Sequence, residues 1–230
     1  MSRRFFVAAV LAGIAWGCAP RIAAPPESEQ RAPANFPEAY YREALAKGQP
    51  VYRVDPAASL VAIEARRGGS LAHLGHDHVI ASHGVLGYVA PEEGRSDLYV
   101  QLGELVVDEP ELRAQSRFDT QPSADDIDGT RQNMLRALAA EQYPFALIEI
   151  NRLDGGRLKV TISLHGVTRS FETPVQIDSS ANELKANGRI DLKQTDFGIK
   201  PFSILGGAVQ VQDQVNLRFS IRARRIEAQH

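Results

Sequence analysis

Hydrophobic and polar residues alternate most regularly near the C-terminus, over residues 209–223. The odd-numbered positions are apolar except for Asp213, and the even-numbered positions between them are polar. A period of two predicts a β-strand with one buried and one solvent-facing side, as in an antiparallel sheet. Because this stretch is longer than an ordinary strand, we expect it to bend or turn tightly near Asp213 and to close a barrel.

Shorter alternating or apolar segments recur from residue 51 onward and predict further strands. They lie at residues 51–66, 85–89, 98–107, 145–150, 158–164, 170–177 and 184–192, and glycine-containing turns separate several of them. One helix is expected among them, over residues 123–141, because Ser123 and Asp126 have the spacing of a capping box and Met134 and Leu138 share a helical face. Many short strands with tight turns indicate an all-β barrel or sandwich.

The N-terminal residues 1–18 are typical of a secretion signal. Arg3 and Arg4 precede an uncharged, mostly apolar run at residues 5–17, which is too short to span a bilayer comfortably. Cys18 follows this run and resembles the lipidated cysteine of a bacterial lipobox, with plain cleavage after Gly17 as the alternative. The Pro-rich residues 19–50 predict an extended tether, in which residues 37–47 form a short helix, and residues 51–226 form the folded domain.

Composition narrows the function classes further. The 230 residues suit one domain with extensions, and 43% of them are hydrophobic, as in a protein with a substantial core. The net charge of −2 indicates no surface for nucleic acid, and a single cysteine excludes a disulfide within the chain. We find no nucleophile elbow, phosphate-binding loop or dinucleotide fingerprint, so we do not predict an enzyme.

Four stretches of the sequence resemble the YceI-like family, whose members are known as periplasmic, lipocalin-like, polyisoprenoid-binding β-barrels. They are Tyr52-Arg53-Val54-Asp55-Pro56, Tyr143-Pro144 with the strand that follows, Leu164-His165-Gly166-Val167-Thr168, and Thr195-Asp196-Phe197-Gly198-Ile199 with Gly206-Gly207-Ala208 and the long C-terminal strand. They stand in the order of the family and span residues 51–226. The resemblance implies an antiparallel lipocalin-like barrel of about eight strands with one internal α-helix.

The resemblance also implies a function. It suggests an exported protein that holds an isoprenoid or other long-chain amphiphile in the barrel lumen, for storage, transport or protection in the cell envelope. The protein would be attached to a membrane through a lipid on Cys18, with no cofactor apart from a bound isoprenoid or fatty lipid, and a homodimer is left open. Five aromatic residues are expected to line the lumen or its mouth: Phe118, Tyr143, Phe197, Phe202 and Phe219.

Four of the six histidines lie close together, at His73, His76, His78 and His83. In an extended chain His76 and His78 point to the same side, which makes them candidates for contacting a ligand head group at the barrel mouth. Imidazoles also bind zinc or copper, so a metal-binding protein or metal-dependent enzyme built on these four residues is the alternative function. A hydrogen-bonded polar turn is the third interpretation, and the isolated His165 is expected to make a structural hydrogen bond.

The sequence departs from the family at the start of the predicted helix. Relatives typically read Arg-Asp-x-His-Leu there, whereas residues 131–135 read Arg-Gln-Asn-Met-Leu. Ala58 also stands where many relatives have histidine. The polar contacts of those family residues cannot be carried over, which leaves the identity of the ligand open.

Overall fold

The computed structural model describes residues 32–154 and 157–227. The predicted signal segment and Cys18 lie outside the described residues. Within those two ranges the protein has three α-helices, α1 (Glu38–Ala46), α2 (Pro110–Ser116) and α3 (Ala124–Ala137). The same ranges contain thirteen strands, which are β1 (Tyr52–Val54), β2 (Leu60–Gly68), β3 (His78–Ser82), β4 (Val85–Ala90), β5 (Arg95–Gln101), β6 (Val106–Val107), β7 (Phe145–Arg152), β8 (Leu158–Leu164), β9 (Val167–Thr173), β10 (Gln176–Ser179), β11 (Glu183–Lys193), β12 (Ser203–Ile204) and β13 (Val209–Arg225).

The strands form one antiparallel sheet that closes on itself. β13 pairs with β1 and β2 along one edge and with β11 along the other. From β1 the pairing continues through β4, β5, β7, β8 and β9, and β10 then pairs with β11 and so returns to β13. If β1 with β2, β3 with β4, and β9 with β10 each count as one bent strand, the ring has about eight strands, as in small barrels. The predicted all-β class is confirmed.

The long C-terminal strand forms the seam of the barrel. It runs without a tight turn over Val209–Arg225, but its register with β2 shifts between Val211 and Val215. Asp213 lies in that irregular stretch and accepts hydrogen bonds from the backbone N–H and the hydroxyl of Thr195, at 2.9 and 2.7 Å. These bonds hold the pKa of Asp213 below its usual value and explain the one polar residue in the apolar series.

A helix lies where the sequence predicts one within the Pro-rich segment, and it packs on the outer face of the barrel. Tyr41 and Ala44 of α1 are buried against a cluster that includes Ala90. The Tyr41 hydroxyl donates a 2.6 Å hydrogen bond to Asp97 of β5, which also accepts from Arg95 at 2.7 Å. Burial, together with the bond to Asp97, raises the pKa of Tyr41. The part of the predicted tether that begins at α1 therefore packs against the barrel.

The internal helix predicted from the capping box is confirmed as α3. The Ser123 hydroxyl accepts from the Asp126 N–H, and the Asp126 carboxylate accepts from the Ser123 N–H. The sequence analysis missed α2, which lies between the predicted strand at residues 98–107 and the predicted helix at residues 123–141. Pro110 stands in the first turn of α2, where proline is favoured, and Leu112 buries the helix against the outer face of β2 and β3. No helix in the described part of the chain is long and apolar enough to cross a membrane.

Candidate functional site

The barrel contains an apolar cavity of about 370 Å³. The inward-facing side chains of β13 form one wall of this cavity. They are Val215, Leu217, Phe219 and Ile221. Directly paired positions in a sheet face the same side, so β2 continues this wall with Val61, Ile63 and Ala65.

The ring of Phe219 lies against the backbone of the neighbouring strand. Gly188 of β11 is paired directly with Phe219. A Cβ atom added at Gly188 would lie 2.5 Å from Cζ and 2.8 Å from Cε1 of the Phe219 ring, closer than atoms can approach. The missing side chain at Gly188 therefore makes room for this ring in the lumen.

One end of the cavity is covered by elements that are not strands. Met134 of α3 and Leu138 just after it line the cavity, as does Phe197 in the short helical turn before Gly198. Phe197 is only 1% exposed and contacts the ring of Phe171 in β9, where β9 and β11 are not paired with each other. The sequence analysis did not name Met134 and Leu138 as site residues, although their shared helical face was the available signal.

Of the five aromatic residues expected at the lumen, Phe197 and Phe219 line the cavity and the other three do not. Phe118 lies on the outer face beside α2, between the guanidinium groups of Arg66 and Arg113, at 4.5 and 5.0 Å from its ring centre. Phe118, Tyr143 and Phe202 therefore do not line the lumen, and a position for any of them at its mouth stays a prediction.

Tyr143 and Phe202 also lie outside the cavity wall. The Tyr143 ring packs over Gly166 and beside His165, and Phe202 is 42% exposed. Like Phe118, both lie outside the strands and helices. The alternation of side chains along a strand therefore does not determine which face they occupy. An aromatic residue in such a position does not by its type alone indicate the inside of a barrel.

The four clustered histidines do not converge on one point. His78 Nδ1 lies 2.6 Å from the buried carboxylate of Asp108, and His83 Nε2 lies 2.9 Å from Glu109. His73 is exposed, and His76 lies 3.8 Å from Asp126. Over residues 32–154 and 157–227 no three or more histidine, cysteine, aspartate or glutamate side chains are placed to hold a metal ion.

Asp108 holds His78 in place. Burial alone would raise the pKa of Asp108, but the hydrogen bonds from His78, from the Val79 N–H and from Arg113 outweigh it and hold the pKa below its usual value. His78 is paired with Ala65, which lines the cavity, so its imidazole faces inward. Its Nε2 lies 3.4 Å from the hydroxyl of Thr130 in α3.

His76 and His78 stand side by side, as the extended-chain pattern suggests, with ring centres 6.2 Å apart. Neither imidazole is among the residues that line the cavity. Contact of these histidines with a ligand head group stays a prediction. His165 Nδ1 lies 3.1 Å from the carbonyl oxygen of Phe197, which ties the hairpin to the turn that carries Phe197.

One solved structure and one family model agree with this architecture. A polyisoprenoid binding domain from Saccharophagus degradans superposes with a TM-score of 0.53 at 14% identity, over 75% of this chain and 97% of that one. BcnA from Burkholderia cenocepacia gives a TM-score of 0.47 at 13% identity, over 74% and 98% of the two chains. A comparison with curated protein sequences finds no match. The model of the YceI-like domain family matches residues 52–223, and the chain belongs to that family.

Proposed function

We propose that this protein binds an isoprenoid or another long-chain amphiphile in the lumen of its barrel. The observation that carries the proposal is the apolar cavity of about 370 Å³, whose wall is built by the inward series of β13 and β2 and by α3. The similarity to a polyisoprenoid binding domain supports it. The proposed role is binding, in storage, transport or protection of the ligand, and not catalysis.

Desolvation of the ligand chain supplies the affinity in this proposal. Burial of a methylene group contributes about 0.8 kcal/mol, so a chain of about twelve carbons gains on the order of 10 kcal/mol before the costs of association.

The test is native mass spectrometry of the full chain purified gently from its own cell envelope. We expect an added mass that is lost on organic extraction and that identifies the ligand. Phe219→Asn should lower the bound fraction, whereas Phe202→Asn should leave it unchanged, because Phe202 lies outside the cavity wall. Circular dichroism of both variants checks that they fold. A bare polypeptide mass for the folded wild-type protein contradicts the proposal.

We also propose that the protein is exported and held at a membrane by a lipid on Cys18. The support is in the sequence, where two arginines, an uncharged apolar run and the single cysteine follow one another. Cys18→Ser should move the protein from the membrane fraction to the soluble fraction of the periplasm. If the variant stays with membranes after its N-terminus has been cleaved, the lipid anchor is wrong.

A further inference from the structure

The two ends of the lumen are closed to different degrees. At the end covered by α3, Phe197 and Ile199 line the cavity and are only 1% and 4% exposed. At the opposite end the cavity is lined by the turn between β4 and β5, by the last residue of β7 and by β10. There Arg152 is exposed and Ile177 is 46% exposed. The open end of the lumen is therefore the one bordered by Gly94, Arg152 and Ile177.

Arg152 occupies an inward-facing position at the open end. Side chains alternate along β7, and Ala146, Ile148 and Ile150 all line the cavity. Arg152 is the next residue of this inward series, and it is paired with Leu158 of β8, which also lines the cavity. The strand therefore ends its apolar inward series with a guanidinium group.

The charged residues that line the cavity are all basic. In the described part of the chain they are Arg95, Arg152 and Lys193, and no aspartate or glutamate lines the wall there. Arg95 donates a 2.7 Å hydrogen bond to Asp97, which α1 contacts on the outer face of the barrel. Lys193 ends β11 at the covered end of the lumen. Arg152 is therefore the charged residue that faces the lumen at its open end.

No carboxylate neutralises Arg152 within the two described ranges, where its guanidinium forms no ion pair. Glu149 lies on the opposite face of β7 and accepts a hydrogen bond from the Asn151 amide at 2.7 Å. Asp154 is exposed in the turn that follows β7. An anion that approaches the open end therefore finds a positive charge that is exposed and unpaired.

The backbone at Arg152 is fixed by the turn between β4 and β5. The Arg152 N–H donates a 2.7 Å hydrogen bond to the Gly94 carbonyl oxygen. Gly94 has a φ of +65°, and a Cβ atom there would lie 3.0 Å from Cβ of Arg152, so glycine allows this close approach. Ser96 also lines the cavity and is paired with Ile150, one inward step from Arg152. A guanidinium and a hydroxyl group therefore stand together at the open end.

We propose that the open end binds the acidic head group, a carboxylate or a phosphate, of the amphiphile in the lumen, and that Arg152 is its main contact. This proposal rests on the lumen-binding function proposed above. The guanidinium offers a fork of N–H donors that fits two oxygens of either group. Because Arg152 is exposed, the head group reaches it without displacing a side chain, while the apolar chain is buried along the inward residues of β7 toward α3.

This orientation places the head group away from the clustered histidines. His76 lies 3.8 Å from Asp126 and His78 lies 3.4 Å from Thr130, so both stand beside α3 at the covered end. The sequence predicts a head-group contact for these two residues. The charge of the lumen wall instead favours the opposite end.

The experiment compares ligands that share one chain and differ in the head group. Dodecanoic acid, dodecyl phosphate and dodecanol are titrated into the purified, delipidated full chain at neutral pH, and displacement of the neutral dye N-phenylnaphthylamine reports binding. We expect the acids to bind about five- to tenfold more tightly than the alcohol. Arg152→Gln should remove this preference, and Arg152→Lys should keep most of it. The acid that binds more tightly shows whether the site takes a carboxylate or a phosphate.

The affinity for dodecanol should stay unchanged in Arg152→Gln, which also shows that the variant folds. The matched control is Arg157→Gln, which removes one positive charge near the same end of the barrel. Arg157 does not line the cavity and is paired with Glu172 at 2.5 Å, so this variant should keep the preference for acids.

Two results would overturn the head-group site and leave the lumen function in place. One is equal binding of dodecanol and both acids by the wild type. The other is a preference that Arg152→Gln retains, or that Arg157→Gln loses to the same extent, since the general charge of the barrel would then explain it. If none of the three ligands displaces the dye or binds, the lumen function itself is refuted, and the head-group site with it.

Discussion

Gly188→Ala tests directly whether the Phe219 ring occupies the lumen as described. The added methyl group would lie 2.5 Å from Cζ of Phe219, so the ring must move. It can move only away from β11, into the cavity of about 370 Å³. The substitution therefore both strains the packing and fills part of the proposed binding site.

The expected energy follows from two opposing effects. Alanine in place of glycine in a strand stabilises a protein by about 0.5–1 kcal/mol where it fits, because the unfolded chain loses freedom. Overpacking costs about 1–3 kcal/mol, and the open space beside Phe219 keeps this cost near the middle of that range, about 2 kcal/mol. We expect Gly188→Ala to destabilise the protein by about 1 kcal/mol. Phe219→Ala alone should cost about 3 kcal/mol, the lower end for such truncations.

A double-mutant cycle isolates the contact between the two residues. Once Phe219 is alanine, the clash is gone, and Gly188→Ala should be neutral or stabilising by about 0.5 kcal/mol. The coupling between the two sites is then about 1–2 kcal/mol, measured from urea unfolding of the four proteins. The same proteins can be scored for bound ligand, and Gly188→Ala should reduce the bound fraction because the displaced ring takes up ligand space.

The control for this cycle is Gly129→Ala in α3. A methyl group at Gly129 would contact nothing within 4 Å, and alanine favours a helix, so this substitution should stabilise the protein by up to about 1 kcal/mol. Combined with Phe219→Ala, its effect should add within about 0.5 kcal/mol. If Gly188→Ala and Phe219→Ala are equally additive, the ring does not lie against Gly188 and the geometry of the lumen is wrong.

Three further outcomes are expected. Tyr41→Phe removes the 2.6 Å bond to Asp97 and should lower the free energy of unfolding by about 1–2 kcal/mol in urea, whereas no change would mean that α1 is not held there. The folded pKa of Asp108 lies below its ordinary value of 3.8, so its stabilisation is present above that pH and is lost as the pH falls through the folded pKa. Asp108→Asn should therefore destabilise the protein at neutral pH, and its difference from wild type should narrow as the pH falls below 3.8, whereas a constant difference would refute the assignment. Gly87→Ala places a methyl group on the Asp97 carbonyl oxygen at a φ of +141° and should cost about 3 kcal/mol or more, seen as a lower thermal midpoint.

Much of the barrel could be predicted because its signals are local. The alternation over residues 209–223 predicts β13, and the spacing of Ser123 and Asp126 predicts the start of α3. The interruption at Pro56 marks the bend between β1 and β2. Each of these signals depends only on side chains a few positions apart.

The parts that sequence reasoning missed depend on distant partners. His78 is held by Asp108, thirty positions away, and this pairing separates it from the other histidines. Phe118 lies outside because α2, a helix that the sequence analysis did not predict, covers that face. A residue in a loop has no neighbours in the sequence that fix which way it points, so its type alone could not place it.

The long strand β13 shows what an alternating pattern determines and what it leaves open. A period of two assigns the odd-numbered residues of β13 to the lumen and the even-numbered residues to the outer face, and this much the sequence alone establishes. It does not establish the register, which decides that Phe219 meets Gly188 and that Arg218 meets Arg189. A slip of β11 by two residues would keep every apolar side chain inside, yet it would move Gly188 away from the ring and Arg189 away from Arg218. The shape of the lumen is therefore a consequence of this register, and the cycle at Gly188 and Phe219 tests the pairing on which it depends.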